Sequence, residues 1–233
     1  MIRFKKSMCL LLVLAIFSGL TVTAHAEEVS LVQTEDTMWT KMYKPASIVI
    51  EEEYEEVPLY NQLDYSEPYG DYGTIASHGC GITCLAMVAT YLLDIEYLPD
   101  ELATEFGRYN TKKGSLWILF EESAAVLGLK LQERTRNEEK VMKALANNQL
   151  VISLQHKGLF TKSGHFITLV GLTDDGKILV NDPNGRNYSK TEELIDGFEN
   201  GFTEEQVFDA GGPYWIYEEK TTAIEDVLMA ISE

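Results

Sequence analysis

A cysteine between two glycines begins the most apolar stretch of this chain. Gly79-Cys80-Gly81 is followed by apolar residues at helical spacing that continue to Leu93. This pattern predicts a buried helix over 81–93 with the cysteine at its start. A thiol at a helix N-terminus lies at the positive end of the helix dipole, which favours the nucleophilic thiolate. The alternative is a structural role, because free cysteine usually packs as a small core hydrophobe.

The N-terminus has the features of a secretory signal peptide. Three basic side chains within the first six residues precede an apolar segment, Met8–Leu20, and small residues surround a cleavage point after Ala26. The apolar segment is too short to span a bilayer comfortably, and no second one follows it. We therefore expect residues 1–26 to be removed and the product to be secreted, without stable membrane association.

Removal of residues 1–26 leaves two cysteines, Cys80 and Cys84, which lie four residues apart on the predicted helix. Oxidising compartments favour disulfides, but side-chain vectors that run parallel on one helix suit disulfide torsions poorly. We expect Cys84 to pack in the core without a bridge. Cys80 is then the thiol whose presence in a secreted protein needs a chemical explanation.

Charge excludes several classes of partner. The formal net charge is −18, and it becomes −21 without residues 1–26 because these carry three cations and no anions. Such a surface repels nucleic acid, anionic lipid and anionic wall polymers. Neither the carboxylates nor the Cys and His residues have the spacing of a calcium loop or a zinc site. We predict no metal, no nucleic-acid partner and no cofactor.

Composition divides the chain into four segments. After the signal peptide, residues 27–56 are acid-rich and weakly periodic, which indicates a leader or pro-segment that packs loosely on the core. Residues 57–219 are long enough for one domain with a single core. Residues 220–233 are predicted to form a C-terminal helix.

The order of the predicted elements is typical of the α+β class, with a helical part first and a mostly antiparallel sheet after it. Ser115 is predicted to cap a helix over 116–127 that ends at Gly128, and Asn137 to cap one over 138–147. In the second helix, Val141, Met142, Leu145 and Ala146 are predicted to form the apolar face. Further segments are predicted as strands (129–132, 151–154, 166–170, 178–180 and 214–217) and as helices (from Pro99, 191–198 and 222–231).

Two residues with complementary chemistry lie in neighbouring strands of this sheet. His165 begins an apolar strand, and Asp182 ends the next one. If the loop between them is Thr173–Gly176, Ile167 lies opposite Asp182, and Asp182 shares a sheet face with His165 within side-chain reach. A two-residue loop at Asp175-Gly176 would instead place Asp182 opposite Leu169, too far away. We favour the longer loop.

Each of these residues has an ordinary explanation taken alone. His165 could be a strand-edge histidine with a satisfied hydrogen bond, and Asp182-Pro183-Asn184-Gly185 is a good turn sequence. Together with Cys80 they form a Cys-His-Asp set of the kind that activates a nucleophile.

Three blocks carry a resemblance to a known family: Val57–Gln62, Gly79–Met87, and the pair of strands from Gly164 to Pro183. The chain resembles the papain-like cysteine peptidases of the C39-like family, which are related to the peptidases that trim double-glycine leaders of bacteriocins. The resemblance implies a papain-like fold and no cofactor. The family commonly has proline where this chain has Ile82.

The resemblance also implies a role for each residue of the site. Cys80 would be the nucleophile, His165 the general base, Asp182 the residue that orients the histidine, and Gln62 the side chain of the oxyanion hole. The chain would then be a monomeric secreted cysteine peptidase acting on peptides or proteins. Two alternatives stay open: a cell-wall amidase or endopeptidase that uses the same triad on peptidoglycan, and a non-catalytic binding protein that retains the fold.

The paired glycines Gly211-Gly212 invite a different reading, as a self-processing site. We predict that they are not cleaved, because Pro213 follows the bond and Tyr214–Tyr217 has the composition of a core strand. A strand entrance that needs positive φ explains two glycines more simply.

Overall fold

The computed structural model describes residues 22–25, 28–31 and 56–218. The C-terminal helix expected over 220–233 lies outside the described residues, as do most of the expected signal peptide and leader.

The chain divides into two compact units, one of which is Glu51–Thr221. In the other, two short antiparallel strands, β1 (Val22–His25) and β2 (Glu28–Leu31), flank the expected cleavage point after Ala26.

The described residues form seven helices. They are α1 (Ile75–His78), α2 (Cys80–Leu93), α3 (Pro99–Phe106), α4 (Ile118–Leu127), α5 (Glu138–Ala146), α6 (Glu192–Asn200) and α7 (Glu204–Phe208). Within the part of the chain described, none has the length and apolar character that a membrane span requires.

A five-stranded sheet forms the second half of the larger unit. Its strands lie in the order β5-β9-β6-β7-β8, and every neighbouring pair is antiparallel. They are β5 (Leu131–Thr135), β6 (Val151–Gln155), β7 (His165–Leu172), β8 (Ile178–Asn181) and β9 (Gly211–Tyr217), and a separate small hairpin pairs β3 (Asn110–Thr111) with β4 (Gly114–Ser115). The predicted α+β class is confirmed.

Helices cover both faces of the sheet, and strand alternation explains how. In β9, Trp215 packs in the cluster formed with α2, α3 and α4, whereas Tyr214 and Ile216 pack in the cluster formed with α5, α6 and α7. Phe166 and Ile167 in β7 divide in the same way. Successive side chains of a strand point to opposite faces, so a continuous apolar strand can fill two cores.

The predicted helix ends agree best with the structure where a capping residue begins or ends the helix. The helix at the cysteine ends at Asp94, which adopts the left-handed conformation with φ of 54°. Gly128 ends α4 with φ of 80°, and Asn137 caps α5 by accepting a hydrogen bond from the Lys140 backbone N–H at 3.0 Å. A left-handed residue ends the first two of these helices, and a side-chain cap begins the third.

The capping role predicted for Ser115 is wrong. Ser115 belongs to β4, and its hydroxyl forms a 2.9 Å hydrogen bond with that of buried Tyr69. Helix α4 begins two residues later than predicted, with Trp117 at its N-cap position. A long-range partner for Ser115 therefore overrides its local capping preference.

Other boundaries differ by a few residues. The strand predicted over 129–132 lies at Leu131–Thr135. In α5 the buried residues are Val141, Ala144 and Leu145, whereas Ala146 is exposed and Met142 is partly buried. Helices α1 and α7 and the hairpin of β3 and β4 are too short to give a periodic signal, and they were not predicted.

Candidate active site

Cys80 is the first residue of α2, and Gly79 alone separates it from α1. The two flanking glycines allow close contacts on both sides of it. A Cβ atom on Gly79 would lie 2.5 Å from the backbone oxygen of Ile75, and one on Gly81 would lie 2.7 Å from Ser115 Oγ. Neither distance is tolerable for a real side chain, so both positions require glycine. As a whole residue, Cys80 is partly exposed to solvent.

His165 is the first residue of β7, where it pairs with Gln155 of β6 and is 7 % exposed. Its Nε2 lies 2.6 Å from Oδ1 of Asp182. Its side chain also interacts with the Cys80 thiol, whose pKa it lowers. Because Nε2 is taken by the carboxylate, Nδ1 is the ring nitrogen left for the sulfur.

The strand register that brings His165 to Asp182 depends on a β-bulge. Leu172 pairs with Ile178, so the loop is one residue longer than predicted. Between Leu169 and Gly171 the register shifts by one residue, and Thr168 then pairs with Asn181. Continued past the strand end, this register places Ile167 opposite Asp182. The predicted alignment at the site is therefore correct although the predicted loop is wrong.

The carboxylate of Asp182 is fully buried and accepts three hydrogen bonds. Besides His165, Oδ1 accepts from the Asn184 backbone N–H at 2.7 Å, and Oδ2 accepts from Asn187 Nδ2 at 2.6 Å. Asn187 Nδ2 also donates to the Phe160 carbonyl at 3.0 Å. These contacts fix the carboxylate in one orientation towards the histidine.

Two residues that support Asp182, Asn187 and Tyr188, were not predicted from the sequence. The Tyr188 hydroxyl accepts a 3.0 Å hydrogen bond from the Asp182 backbone N–H. Both lie in the 3-10 turn Gly185–Ser189, which folds back over Asp182. The asparagine-rich turn sequence was the available signal, but asparagine is so common in turns that its role as a buried donor is hidden.

Gln62 lies between the Asp182 loop and α1. Its backbone N–H donates to the Pro183 carbonyl at 2.8 Å. Its side-chain Nε2 donates to the Ala76 carbonyl at 3.0 Å and, more weakly, to that of Ile75 at 3.4 Å. The residue predicted for the oxyanion hole is thus held beside the helix that leads to the cysteine.

Electrostatics favour an ion pair between Cys80 and His165. Burial alone raises the pKa of the Cys80 thiol, but the hydrogen bond and charge of His165, with backbone hydrogen bonds from Phe166 and Gly81, bring this pKa below its ordinary value. Burial alone lowers the pKa of His165, but the charge and hydrogen bond of Asp182, aided by Cys80, raise this pKa well above its ordinary value. Thiolate and imidazolium therefore stabilise each other.

Cys84 is fully buried one turn into α2 and forms no disulfide with Cys80, as predicted. Burial raises the pKa of the Cys84 thiol well above its usual range. Only one of the two thiols is thus prepared for reaction.

The residues near Cys80 do not form an obvious set of metal ligands. His78, two positions before Cys80, has its Nδ1 2.8 Å from Ser77 Oγ. Within the described residues, no three His, Cys, Asp or Glu side chains lie close enough together to bind a metal ion.

Comparison with known proteins identifies the family of this chain. A family model described as peptidase C39-like matches residues 54–210, more than half of the 233-residue chain. No curated protein and no solved structure matches the chain. The matched range contains Gln62, Cys80, His165 and Asp182, and it bears out the resemblance drawn from the motifs. This chain belongs to the peptidase C39-like family.

Proposed function

We propose that the protein is a secreted cysteine peptidase that hydrolyses peptide bonds with Cys80 as its nucleophile. The observation that carries the proposal is that His165 interacts with the Cys80 thiol and, at 2.6 Å, with the buried carboxylate of Asp182. A lowered thiol pKa beside a raised imidazole pKa is the arrangement of an activated nucleophile. A binding protein would have no use for this set.

The reaction begins with a thiolate. His165 Nδ1 takes the Cys80 proton, and the sulfur attacks the carbonyl carbon of the peptide bond. The imidazolium then protonates the leaving amine as the C–N bond breaks, which leaves a thioester on Cys80. Water attacks the thioester, His165 accepts the proton of that water, and the new carboxylate leaves. Asp182 keeps the ring in position and stabilises its positive charge throughout.

Two groups are proposed to stabilise the negative oxygen of the tetrahedral intermediate. One is the backbone N–H of Cys80, because the first N–H groups of a helix have no partner within it. The other is Gln62 Nε2, whose hydrogen directed to Ile75 makes the weaker of its two bonds, at 3.4 Å, and is the easier to redirect. Losing one such donor typically costs about 10²–10³ in rate.

The sharpest test is the pH dependence of Cys80 alkylation by iodoacetamide, followed by mass spectrometry. The midpoint of the rate profile is expected below 9.0, the ordinary thiol value, because His165 lowers the pKa of Cys80. A His165→Ala variant loses the hydrogen bond and charge that lower the pKa of Cys80, so the midpoint should move upwards. At pH 6 the variant should react more slowly, since every unit by which the pKa rises lowers the thiolate fraction about tenfold.

A Cys84→Ser variant is the matched control and should retain the wild-type profile, because Cys84 is buried. The substrate is tested separately, with a fluorescently labelled unfolded protein and with purified peptidoglycan. Cleavage of the unfolded protein that is lost in Cys80→Ala is the expected result. Release of peptides from peptidoglycan alone would favour the cell-wall alternative. An unshifted midpoint in the wild type would contradict the proposal.

A further inference from the structure

Three consecutive large apolar side chains are exposed between β4 and the first turn of α4. Leu116 is 44 % exposed, Trp117 42 % and Ile118 45 %. Single exposed apolar residues are common, but a contiguous group marks a surface that binds something.

These side chains line a groove of about 470 Å³, together with Thr111, Lys113 and Ser115. We call it the Trp117 groove. Its volume is within the range of sites that bind small ligands or single substrate side chains. The walls are mainly apolar, so an apolar group is the occupant that they would favour.

The groove begins beside the nucleophile. Gly81 follows Cys80 directly, and a Cβ atom on Gly81 would lie 2.7 Å from Ser115 Oγ. Ser115 is therefore in contact with the first turn of α2 and is also part of the groove wall. An extended peptide advances about 3.3 Å per residue, so a substrate that runs from Cys80 past Ser115 would bring a side chain to the groove.

The indole of Trp117 is held in place from behind. It packs edge-on against Trp215, with ring centroids 6.3 Å apart. Trp215 Nε1 donates to Glu121 at 3.1 Å, and Glu121 pairs with Arg134 at 2.9 Å. Because Trp215 is fully buried, it gives Trp117 a rigid support.

Trp117 lines two depressions that also contain cationic side chains, in a chain whose net charge is −18. Lys113 lines the Trp117 groove, and Arg134 and Arg136 line the second depression, of about 250 Å³. Arg134 is paired with Glu121. Among residues 56–218, neither Lys113 nor Arg136 forms an ion pair. These two charges are available to a ligand.

We propose that the Trp117 groove is a specificity site that binds a large apolar side chain of an acidic peptide substrate. Lys113 and Arg136 attract carboxylates that lie beside that side chain. The inference rests on the proposed function, because it identifies the occupant as the peptide that Cys80 cleaves.

The test uses peptide chloromethyl ketones, which need no known substrate. The Cys80 thiolate attacks the methylene carbon, so that a C–S bond forms as the C–Cl bond breaks and chloride leaves. N-acetyl-tetraalanine chloromethyl ketone is the reference compound. In one series leucine replaces alanine at each position in turn, and in a second series glutamate is added beside that leucine. The second-order inactivation rate is measured for each compound.

Leucine at one position should raise the rate about tenfold or more over the reference, the usual range for filling an apolar pocket. Trp117→Ala should remove most of that gain, measured within the variant as the ratio of the rate for the leucine compound to the rate for the reference compound. Val126→Ala, on α4 and 58 % exposed, is the matched control and should keep the gain. Loss of the gain in this control as well would overturn its assignment to Trp117.

Glutamate should raise the rate a further two- to fivefold or so, the range for an exposed ion pair, and high salt should reduce this gain. Arg136→Gln should lower the gain, whereas Lys143→Gln, an exposed lysine on α5, should not. Equal rates for all leucine positions, with iodoacetamide still showing a lowered Cys80 pKa, would overturn the groove and leave the peptidase proposal standing. Loss of the lowered pKa itself would instead refute the proposed function.

Discussion

Replacing Asn187 by leucine should destabilise the fold through the site rather than through the core. Leucine branches at Cγ as asparagine does, but it is bulkier and has no hydrogen-bond donor. The amide of Asn187 is 1 % exposed and donates both to Asp182 Oδ2 at 2.6 Å and to the Phe160 carbonyl at 3.0 Å. Since Asp182 is fully buried, the substitution leaves one carboxylate oxygen and one carbonyl without a donor.

The two losses set the expected magnitude. A hydrogen bond to a charged group contributes about 1.5–3 kcal/mol, and an unpaired buried carbonyl costs about 1–3 kcal/mol. Because a water molecule can partly replace the amide, we expect the free energy of unfolding to fall by about 3–5 kcal/mol. With a urea m-value of about 2 kcal/mol/M, the denaturation midpoint should fall by roughly 1.5–2.5 M.

Urea denaturation followed by tryptophan fluorescence measures this change. Asn200→Leu is the matched control, because Asn200 Nδ2 also donates to a carboxylate, that of Asp196 at 2.8 Å, but on an exposed surface. The control should change the free energy of unfolding by no more than about 0.5 kcal/mol. Equal effects for the two variants would refute the reasoning, because burial would then have no influence on the cost.

The same variant should also alter the chemistry at Cys80. The charge and hydrogen bond of Asp182 are what raise the pKa of His165, and His165 in turn lowers that of Cys80. If Asn187 holds the carboxylate in place, its loss should move the midpoint of Cys80 alkylation upwards even in the folded protein. A purely structural residue would change stability and leave this midpoint unaltered.

The sequence was sufficient for the parts of the site that rest on periodicity. The helical spacing after Cys80 located α2, and strand alternation placed His165 and Asp182 on one face. The extra residue of the β-bulge near Val170 is invisible to this reasoning, because both strands remain apolar through it. The bulge compensates for the longer loop. The predicted pairing of Ile167 with Asp182 is therefore correct, although the reasoning behind it included neither the longer loop nor the bulge.

Contacts between distant segments could not be predicted. Gly81 is required because Ser115, 34 positions later, packs against it, and Ser115 is not a helix cap because Tyr69 bonds to it. The hydrogen bond from the Gln62 backbone to Pro183 spans more than half of the larger unit. Local propensity is a weak guide wherever a distant partner fixes the backbone.

Two predictions concern the covalent integrity of the chain. Exported protein should begin at Glu27, which N-terminal sequencing can check, and retention of Met1 in secreted material would contradict the expected signal peptide. The bond between Gly211 and Gly212, and the one after it, should stay intact. Both glycines belong to β9, which lies between β5 and β6, and a Cβ atom on Gly211 would lie 2.6 Å from the Val207 carbonyl. Gly212 has φ of 97°, a conformation that favours glycine, so local geometry explains the pair without any processing role. Cleavage would detach Tyr214–Tyr217, whose side chains are all at least 99 % buried, and so expose both cores of the sheet. Intact-mass measurement should therefore show one species, whereas a fragment beginning at Pro213 that is absent from Cys80→Ala would show self-processing.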